Sequence, residues 1–170
     1  MIVISPAKKM NCNFSALDFT ETTQPIFFKK TIKLVETMRN LKSNDLQSLM
    51  KISQKLSIIN YDRYKTFSFN QNCNNSKQSI LAYLGDTYKG LSIKSFSNED
   101  LKYSQKKLRI LSGLYGLLRP FDLIQDHRLE MGTSKFSDLN VNLYDFWSVT
   151  ITNQINKELS SNKNSFLINL

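Results

Sequence analysis

The stretch LRILSGLYGLLRPFD, residues 108–122, decides how the rest of the chain is interpreted. It is strongly apolar, it is interrupted by Gly113 and Gly116, and Arg119-Pro120 ends the apolar run. A Gly-x-x-Gly turn between apolar runs can expose successive backbone N–H groups, which bind phosphate without a side chain. A tight turn without a ligand is the commoner origin of such a pattern, so both interpretations stay open at this point.

Charged residues lie within and after this stretch. Arg109 and Arg119 flank the glycine turn and can add charge-assisted contacts to a phosphate. Further along, Asp122, His127 and Glu130 form a cluster that can perform acid–base chemistry, since a histidine titrates near neutrality. A structural network of ion pairs is the commoner explanation for such a cluster. The sequence pattern alone does not distinguish a catalytic site from a structural network of ion pairs.

Hydrophobic patterning predicts a mixed α/β fold with strands at both ends of the chain and helices between them. Residues 1–5 and 166–170 are short apolar runs typical of strands, and residues 128–131 predict another short strand. Capping and apolar periodicity predict helices over 98–107 and 143–159. Earlier helices are predicted to begin at Pro25, Ser43 and Ser53, and the last helix is predicted to bury Phe146, Trp147, Ile151 and Ile155.

The composition suits one domain over residues 1–170, because 41% of the 170 residues are hydrophobic. No apolar run approaches the length of about 20 residues that a membrane span needs, and the N-terminus lacks the features of a signal peptide. We therefore expect a cytoplasmic protein with no membrane partner. Cys12 and Cys73 form no CxxC, and with His127 as the one histidine they are too few for a zinc site. We predict no metal and no cofactor, although a carboxylate-rich iron or magnesium site stays open.

The net charge of +9 is unevenly distributed. Residues 1–60 carry nine basic and four acidic residues, residues 61–120 carry ten and four, and residues 121–170 carry four and six. The basic excess therefore lies before Pro120, and a basic field attracts DNA, RNA or nucleotides. AT-rich coding, which favours Lys, Asn and Ile, explains the same excess without any partner.

Six motifs occur along the chain: ISPAK at 4–8, GDTYKGL at 85–91, LRILSGLYGLLRPFD at 108–122, RLEMG at 128–132, LYDFW at 143–147 and ITN at 151–153. Together they resemble the YaaA family of peroxide stress resistance proteins, in the family's order and over the whole chain. Relatives in that family read Pro-Tyr where this chain has Asp126-His127, which makes His127 a poor candidate for a shared catalytic group. They also continue beyond the position that matches Leu170, so we expect a C-terminally shortened form.

The resemblance implies a cytosolic protein that helps bacteria to survive hydrogen peroxide, partly by limiting free intracellular iron. It implies a YaaA-type mixed α/β (α+β) fold, in which helices surround a central sheet, and a positively charged cleft. It also implies DNA binding through a helix-hairpin-helix-like element, which we expect at residues 112–116. Duplex or distorted DNA is the expected partner, and we expect a monomer.

The resemblance and the residue chemistry together select the site residues. A binding role is favoured over an enzyme. The alternative is an enzyme that acts on a nucleotide or a nucleic-acid base through carboxylates in the cleft. A third reading is a degraded remnant without activity. The predicted nucleic-acid-binding residues are Lys8, Tyr88, Arg109, Gly113, Tyr115, Gly116, Arg119 and Arg128, and the catalytic candidates are Asp86, Asp122 and Glu130.

Overall fold

The computed structural model of the chain describes residues 1–11, 21–133, 142–160 and 166–170. Strands and helices are interspersed along these ranges, which confirms the predicted mixed α/β class. The strands are β1 (Ile2–Ile4), β2 (Lys9–Met10), β3 (Lys77–Gln78), β4 (Tyr83–Leu84), β5 (Leu108–Ser112), β6 (Gly116–Leu118), β7 (Leu123–Ile124) and β8 (Ile168–Asn169). The helices are α1 (Phe28–Asn40), α2 (Ser43–Met50), α3 (Gln54–Thr66), α4 (Ser79–Ala82), α5 (Asp86–Leu91), α6 (Asn98–Lys107) and α7 (Leu143–Ser160), with a short 3-10 helix at Ile93–Ser95.

The largest sheet has the strand order β6-β5-β1-β8. β1 runs parallel to β5, with Ile4 opposite Ile110, and it also runs parallel to β8 on its other side. Parallel strands are covered on both faces, which suits the wholly apolar sequence of β1 and the burial of most residues of β5. Because both strands end at the same edge of the sheet, the segments that follow them, after Ile4 and after Ser112, lie side by side. Two further pairs, β2 with β4 and β3 with β7, are antiparallel.

The glycine turn of the 108–122 stretch joins two strands. β5 and β6 pair antiparallel, Ser112 lies opposite Gly116, and Gly116 has a φ of +75°. The helix-hairpin-helix-like element expected at residues 112–116 is therefore a β-hairpin turn. Leu114, Leu117 and Leu118 are all fully buried. A continuous apolar run of this kind is typical of a strand in a sheet that is covered on both faces.

A hairpin of two helices lies elsewhere in the chain, at α2 and α3. These helices pack against each other and are joined by the three residues 51–53. α2 ends where Lys51 takes a left-handed backbone conformation, and the N–H of Ile52 donates to the carbonyl of Gln47 over 3.2 Å. The hydroxyl of Ser53 accepts from the N–H of Leu56 over 3.4 Å and caps α3, as its position in the sequence predicts. We call residues 43–66 the α2–α3 hairpin.

The last helix closes one side of the sheet. Trp147 is buried, and its indole N–H donates to the carbonyl oxygen of Gly113 over 2.9 Å. Lys30 of α1 donates to the Thr150 hydroxyl over 2.5 Å and to the carbonyl oxygen of Phe146 over 3.2 Å. Helix α7 thus connects the β5–β6 turn with α1. No helix of the described ranges combines the length and apolar character that a membrane span requires.

Most predicted elements are present, but the strand expected over 128–131 is wrong. The Ser97–Asp100 capping box opens α6, and α7 matches the predicted helix to within one residue. Residues 128–131 alternate in burial as a strand would, yet they pair with no strand among the described residues. Their backbone is held instead by the Tyr64 hydroxyl, which donates to the carbonyl of Arg128, and by close packing of Leu129 on Gly113.

Candidate functional site

A pocket of about 380 Å³ lies at the edge of the sheet where the parallel strands β1 and β5 end. In open α/β sheets, ligands bind at the carboxyl ends of the strands. Its lining includes Ser5 to Lys8 after β1, Leu111 and Ser112 at the end of β5, and residues 127–132. We call this the edge pocket.

Three of the predicted site residues meet at the rim of the edge pocket. The carboxylate of Glu130 forms ion pairs with Arg128, at 3.0 Å from one oxygen, and with Lys8, at 3.5 Å from the other. The side chain of Lys8 is 68% exposed and that of Glu130 is 46% exposed. Ion pairs with this exposure contribute about 0–1 kcal/mol to stability, so the Lys8 amine can leave Glu130 for an anionic ligand at little cost.

Two buried aromatic side chains, Tyr83 and His127, belong to the lining of the edge pocket. The ring of His127 lies edge-on to Tyr115 and to Tyr83, with centroid distances of 5.2 and 6.3 Å. Burial lowers the pKa of His127 to about 4, and its Nδ1 lies 2.9 Å from the carbonyl oxygen of Gln125. His127 is therefore neutral at pH 7 and does not titrate near neutrality, contrary to the expectation for its residue type.

Tyr88 lies next to the edge pocket. Its hydroxyl donates to the carbonyl oxygen of Ser5 over 2.9 Å, and its ring lies 5.6 Å from that of Tyr83. Burial raises the pKa of Tyr88 well above its ordinary value. Tyr88 is 8% exposed, so it positions the segment after β1, and the nucleic-acid contact predicted for it does not fit this burial.

Asp122 and Arg119 hold a separate, structural network. Asp122 is fully buried and accepts from the Thr23 hydroxyl over 2.6 Å and from the Arg119 guanidinium over 2.8 Å. Burial raises the pKa of Asp122, and its hydrogen bonds from Arg119 oppose that rise. This network joins the segment before α1 to the segment between β6 and β7, and neither residue lines the edge pocket.

Arg109 also has a structural place. Its guanidinium is buried, it lies 2.7 Å from the carboxylate of Glu158 on α7, and it donates to two backbone carbonyls at the end of α6 and the start of β5. A phosphate has no access to it in this arrangement. Asp86, in contrast, is fully exposed at the start of α5, 3.3 Å from Lys89, and lies outside the edge-pocket lining.

The glycine turn is packed in the interior. Gly113 lies against the backbone of Leu129, and Gly116 lies against the Trp147 ring, so both positions leave no room for a side chain. Tyr115 is fully buried, and its hydroxyl accepts from the Gln71 side chain over 2.9 Å and from the Gln125 N–H over 3.0 Å. These contacts give the turn a packing role, and they do not fit the nucleic-acid contacts predicted for Gly113, Tyr115 and Gly116.

Sequence reasoning did not select the tip of the α2–α3 hairpin, yet it is a chemically suitable anion site. The first turn of any α-helix leaves backbone N–H groups without intrahelical acceptors, and at α3 those of Gln54 and Lys55 follow the Ser53 cap. Lys51 and Lys55 are both exposed beside them. Phosphate binds at helix N-termini that present this combination. The available signal in the sequence was the run Lys51-Ile52-Ser53 between two capped helices.

The described residues contain no group of three His, Cys, Asp or Glu side chains placed to hold a metal ion. Cys73 is exposed with a free thiol, and Cys12 lies outside the described residues. Among the described residues, the edge pocket combines mainly apolar walls with the charged side chains of Lys8, Arg128 and Glu130.

Comparison with known proteins identifies the family to which the chain belongs. A family model described as "Peroxide stress protein YaaA" matches residues 1–170, and the chain belongs to this family. A UPF0246 protein of Acaryochloris marina is 44% identical over 170 residues, which are 100% of this chain and 66% of the relative. UPF0246 proteins of Cellvibrio japonicus and Alteromonas mediterranea are 43% and 44% identical and cover 99% and 100% of this chain, respectively. The chain spans 65% of the length of each of these two relatives.

Proposed function

We propose that this chain supports resistance to peroxide stress by binding DNA, with the tip of the α2–α3 hairpin on the phosphate backbone and the rim of the edge pocket beside it. Membership of the YaaA family supports the role in peroxide stress. The observation that carries the DNA-binding part is the hairpin tip, where a capped helix N-terminus stands between two exposed lysines, Lys51 and Lys55.

The tip can accept a phosphate without rearrangement. The left-handed backbone at Lys51 turns the chain so that three residues separate the end of α2 from the start of α3. The Ser53 hydroxyl caps the N–H of Leu56 in the first turn, and the N–H groups of Gln54 and Lys55 have no intrahelical acceptor. Backbone N–H groups at helix N-termini contact DNA phosphates in many complexes, and such contacts do not depend on the base sequence. Binding by this element is therefore expected to be non-specific and strongly dependent on salt.

The edge pocket lies at the other end of α3. The Tyr64 hydroxyl, in the last turns of the helix, donates to the carbonyl of Arg128 at the pocket rim over 3.0 Å. From Ser53 to Tyr64 a helix rises about 16 Å, at 1.5 Å per residue. Phosphates of one DNA strand repeat about every 3.4 Å along the helix axis. A bound duplex of about five base-pair steps is therefore long enough to reach from the hairpin tip to the edge pocket. Lys8 and Arg128 then add charge at the second place.

A salt series on labelled DNA tests this proposal. Fluorescence anisotropy would be measured with duplex, bulged and single-stranded oligonucleotides for the wild-type chain and for Lys51→Gln/Lys55→Gln. If both lysines contact phosphates of a duplex, the slope of log K against log salt becomes shallower by about two units in this variant. The matched control is Lys102→Gln/Lys106→Gln, which removes the same charge from the exposed face of α6. An equal loss in the control, or binding that does not change with salt, would contradict the proposal.

A second candidate function is an enzyme acting on a nucleotide or base. It is favoured by the position of Glu130, the one catalytic candidate of the three that lines the edge pocket. Mass spectrometry of oxidised and bulged oligonucleotides after incubation with the chain tests it. A product that forms with the wild-type chain and is lost in Glu130→Gln, while DNA binding persists, supports an enzyme. An unchanged oligonucleotide leaves binding as the function.

A further inference from the structure

A second pocket lies beside α5 and shares only Tyr83 with the lining of the edge pocket. It has a volume of about 400 Å³. Its walls are mainly apolar and include Leu81, Leu84 and Ile93, and Tyr88 forms part of the wall toward β1. We call it the α5 pocket. Cavities of this size with mainly apolar walls and a few polar groups are typical of small-molecule sites.

The shape of the α5 pocket follows from the backbone at the end of α5. Ser92 takes a left-handed conformation that ends the helix, and the chain turns directly into the 3-10 helix Ile93–Ser95. The hydroxyls of Ser92 and Ser95 donate locally, to the carbonyls of Lys89 and Ser92, each over 2.9 Å. Because these hydroxyls already donate to the backbone, the interior offers few partners to water, and an apolar group can displace that water.

The rim of the α5 pocket is basic. Lys89 and Lys94 line it and are both exposed, and no acidic residue belongs to its described lining. Lys89 forms an ion pair with Asp86 at 3.3 Å, in which the two side chains are 78% and 100% exposed. Such an exposed pair is weak, so the Lys89 amine can turn toward an anion at the pocket mouth.

We propose that the α5 pocket binds a small molecule with one apolar body and one carboxylate or phosphate group. The apolar body lies on Leu84, Ile93 and the Tyr83–Tyr88 ring pair, and the anionic group lies at the mouth near Lys89 and Lys94. This site does not depend on the proposed DNA binding, because no residue of the α2–α3 hairpin lines it.

Calorimetric titration with 2-naphthoate tests the proposal, and the uncharged 2-naphthamide is the matched ligand. The wild-type chain is expected to bind the carboxylate more tightly than the amide. In Lys89→Gln/Lys94→Gln the Kd of 2-naphthoate is expected to rise by about tenfold, close to that of the amide. Lys102→Gln/Lys106→Gln removes the same charge elsewhere and is expected to leave both Kd values unchanged.

A pocket-filling variant keeps the test independent of charge. Leu84 is on the rim and about one third exposed, so Leu84→Trp can place its ring in the pocket without a change in the core. It is expected to abolish binding of both ligands while the melting temperature stays at the wild-type value. Undetectable binding of 2-naphthoate to the wild-type chain would overturn the proposal, and so would equal binding to a folded Leu84→Trp variant.

Discussion

The hydroxyl of Tyr64 donates to the backbone carbonyl oxygen of Arg128 over 3.0 Å, across 64 positions of sequence. Tyr64 is buried at the end of α3, and Arg128 stands at the rim of the edge pocket. Burial raises the pKa of the Tyr64 hydroxyl far above its ordinary value, so it remains a hydrogen-bond donor at every physiological pH. Together with the ion pair of Arg63 and Asp126 at 3.6 Å, this bond connects the α2–α3 hairpin with the loop that forms the pocket wall.

Replacing Tyr64 by phenylalanine should weaken that connection. Tyr64→Phe leaves the Arg128 carbonyl without this donor, and we expect a loss of about 1–2 kcal/mol in the free energy of unfolding, measured by urea denaturation. Tyr61→Phe is the control, because Tyr61 is partly exposed on the same helix and its ring contact with Lys65 remains. Equal losses of unfolding free energy in the two variants would show that the hydrogen bond to Arg128 does not contribute specifically to stability.

His127 should make stability depend on pH. Its folded-state pKa of about 4 lies below the ordinary value of 6.5, so the unfolded chain binds the proton more tightly. The stabilisation is complete above pH 6.5 and is lost as the pH falls toward 4, by about 3 kcal/mol in total. Urea denaturation at several pH values measures the slope. His127→Gln should flatten it over this range relative to wild type, and an unchanged slope would contradict the burial of a neutral imidazole.

Glycine at position 113 should be essential for packing. A methyl group there would collide with the carbonyl oxygen of Leu129, which is backbone and cannot rotate away. Gly113→Ala is therefore expected to destabilise the chain by about 3 kcal/mol. Gly90→Ala is the matched control, since that position in α5 has open space and alanine favours a helix by up to about 1 kcal/mol. Thermal melts of both variants should shift in opposite directions.

The Arg109–Glu158 pair should matter for stability and not for DNA. Removing one partner leaves a charge in a largely buried position, so Arg109→Met should cost about 3–5 kcal/mol. The double variant Arg109→Met/Glu158→Leu should recover much of that loss, because it removes both charges. Chemical denaturation measures both values. A change in the salt dependence of DNA binding in the folded double variant would instead restore Arg109 to the interface.

The local elements were predictable because their signals are local. The Ser97–Asp100 box and the Ser53 cap satisfy backbone groups a few residues away, so α3 and α6 begin where the sequence indicates. Strand β1 follows in the same way from a short β-branched run. At residues 128–131 the same reasoning fails, because a strand needs a partner and the described residues provide a tyrosine hydroxyl and a glycine instead.

The site was only partly predictable for a related reason. Lys8, Arg128 and Glu130 were selected from charge and motif, and the fold does bring them together. Arg109 and Asp122 were selected on the same grounds, but each is itself buried in an ion pair, with Glu158 and with Arg119 respectively. A charged residue in a motif looks the same in the sequence whether it binds a ligand or forms a structural ion pair. Only its burial in the folded protein distinguishes the two roles.

The sequence by itself determined the family, the mixed α/β class, the starts of α2, α3, α6 and α7, and the basic excess before Pro120, because these depend on composition, motif order and local capping. The helix predicted to begin at Pro25 begins at Phe28. The tertiary structure alone decided that the glycine turn is an interior β-hairpin, and that Arg109 and Asp122 hold the scaffold. It also placed a helix hairpin at residues 43–66, with its tip about one length of α3 from the edge pocket. Those facts depend on which side chains, distant in the sequence, pack together in the interior. Local sequence patterns do not specify that packing.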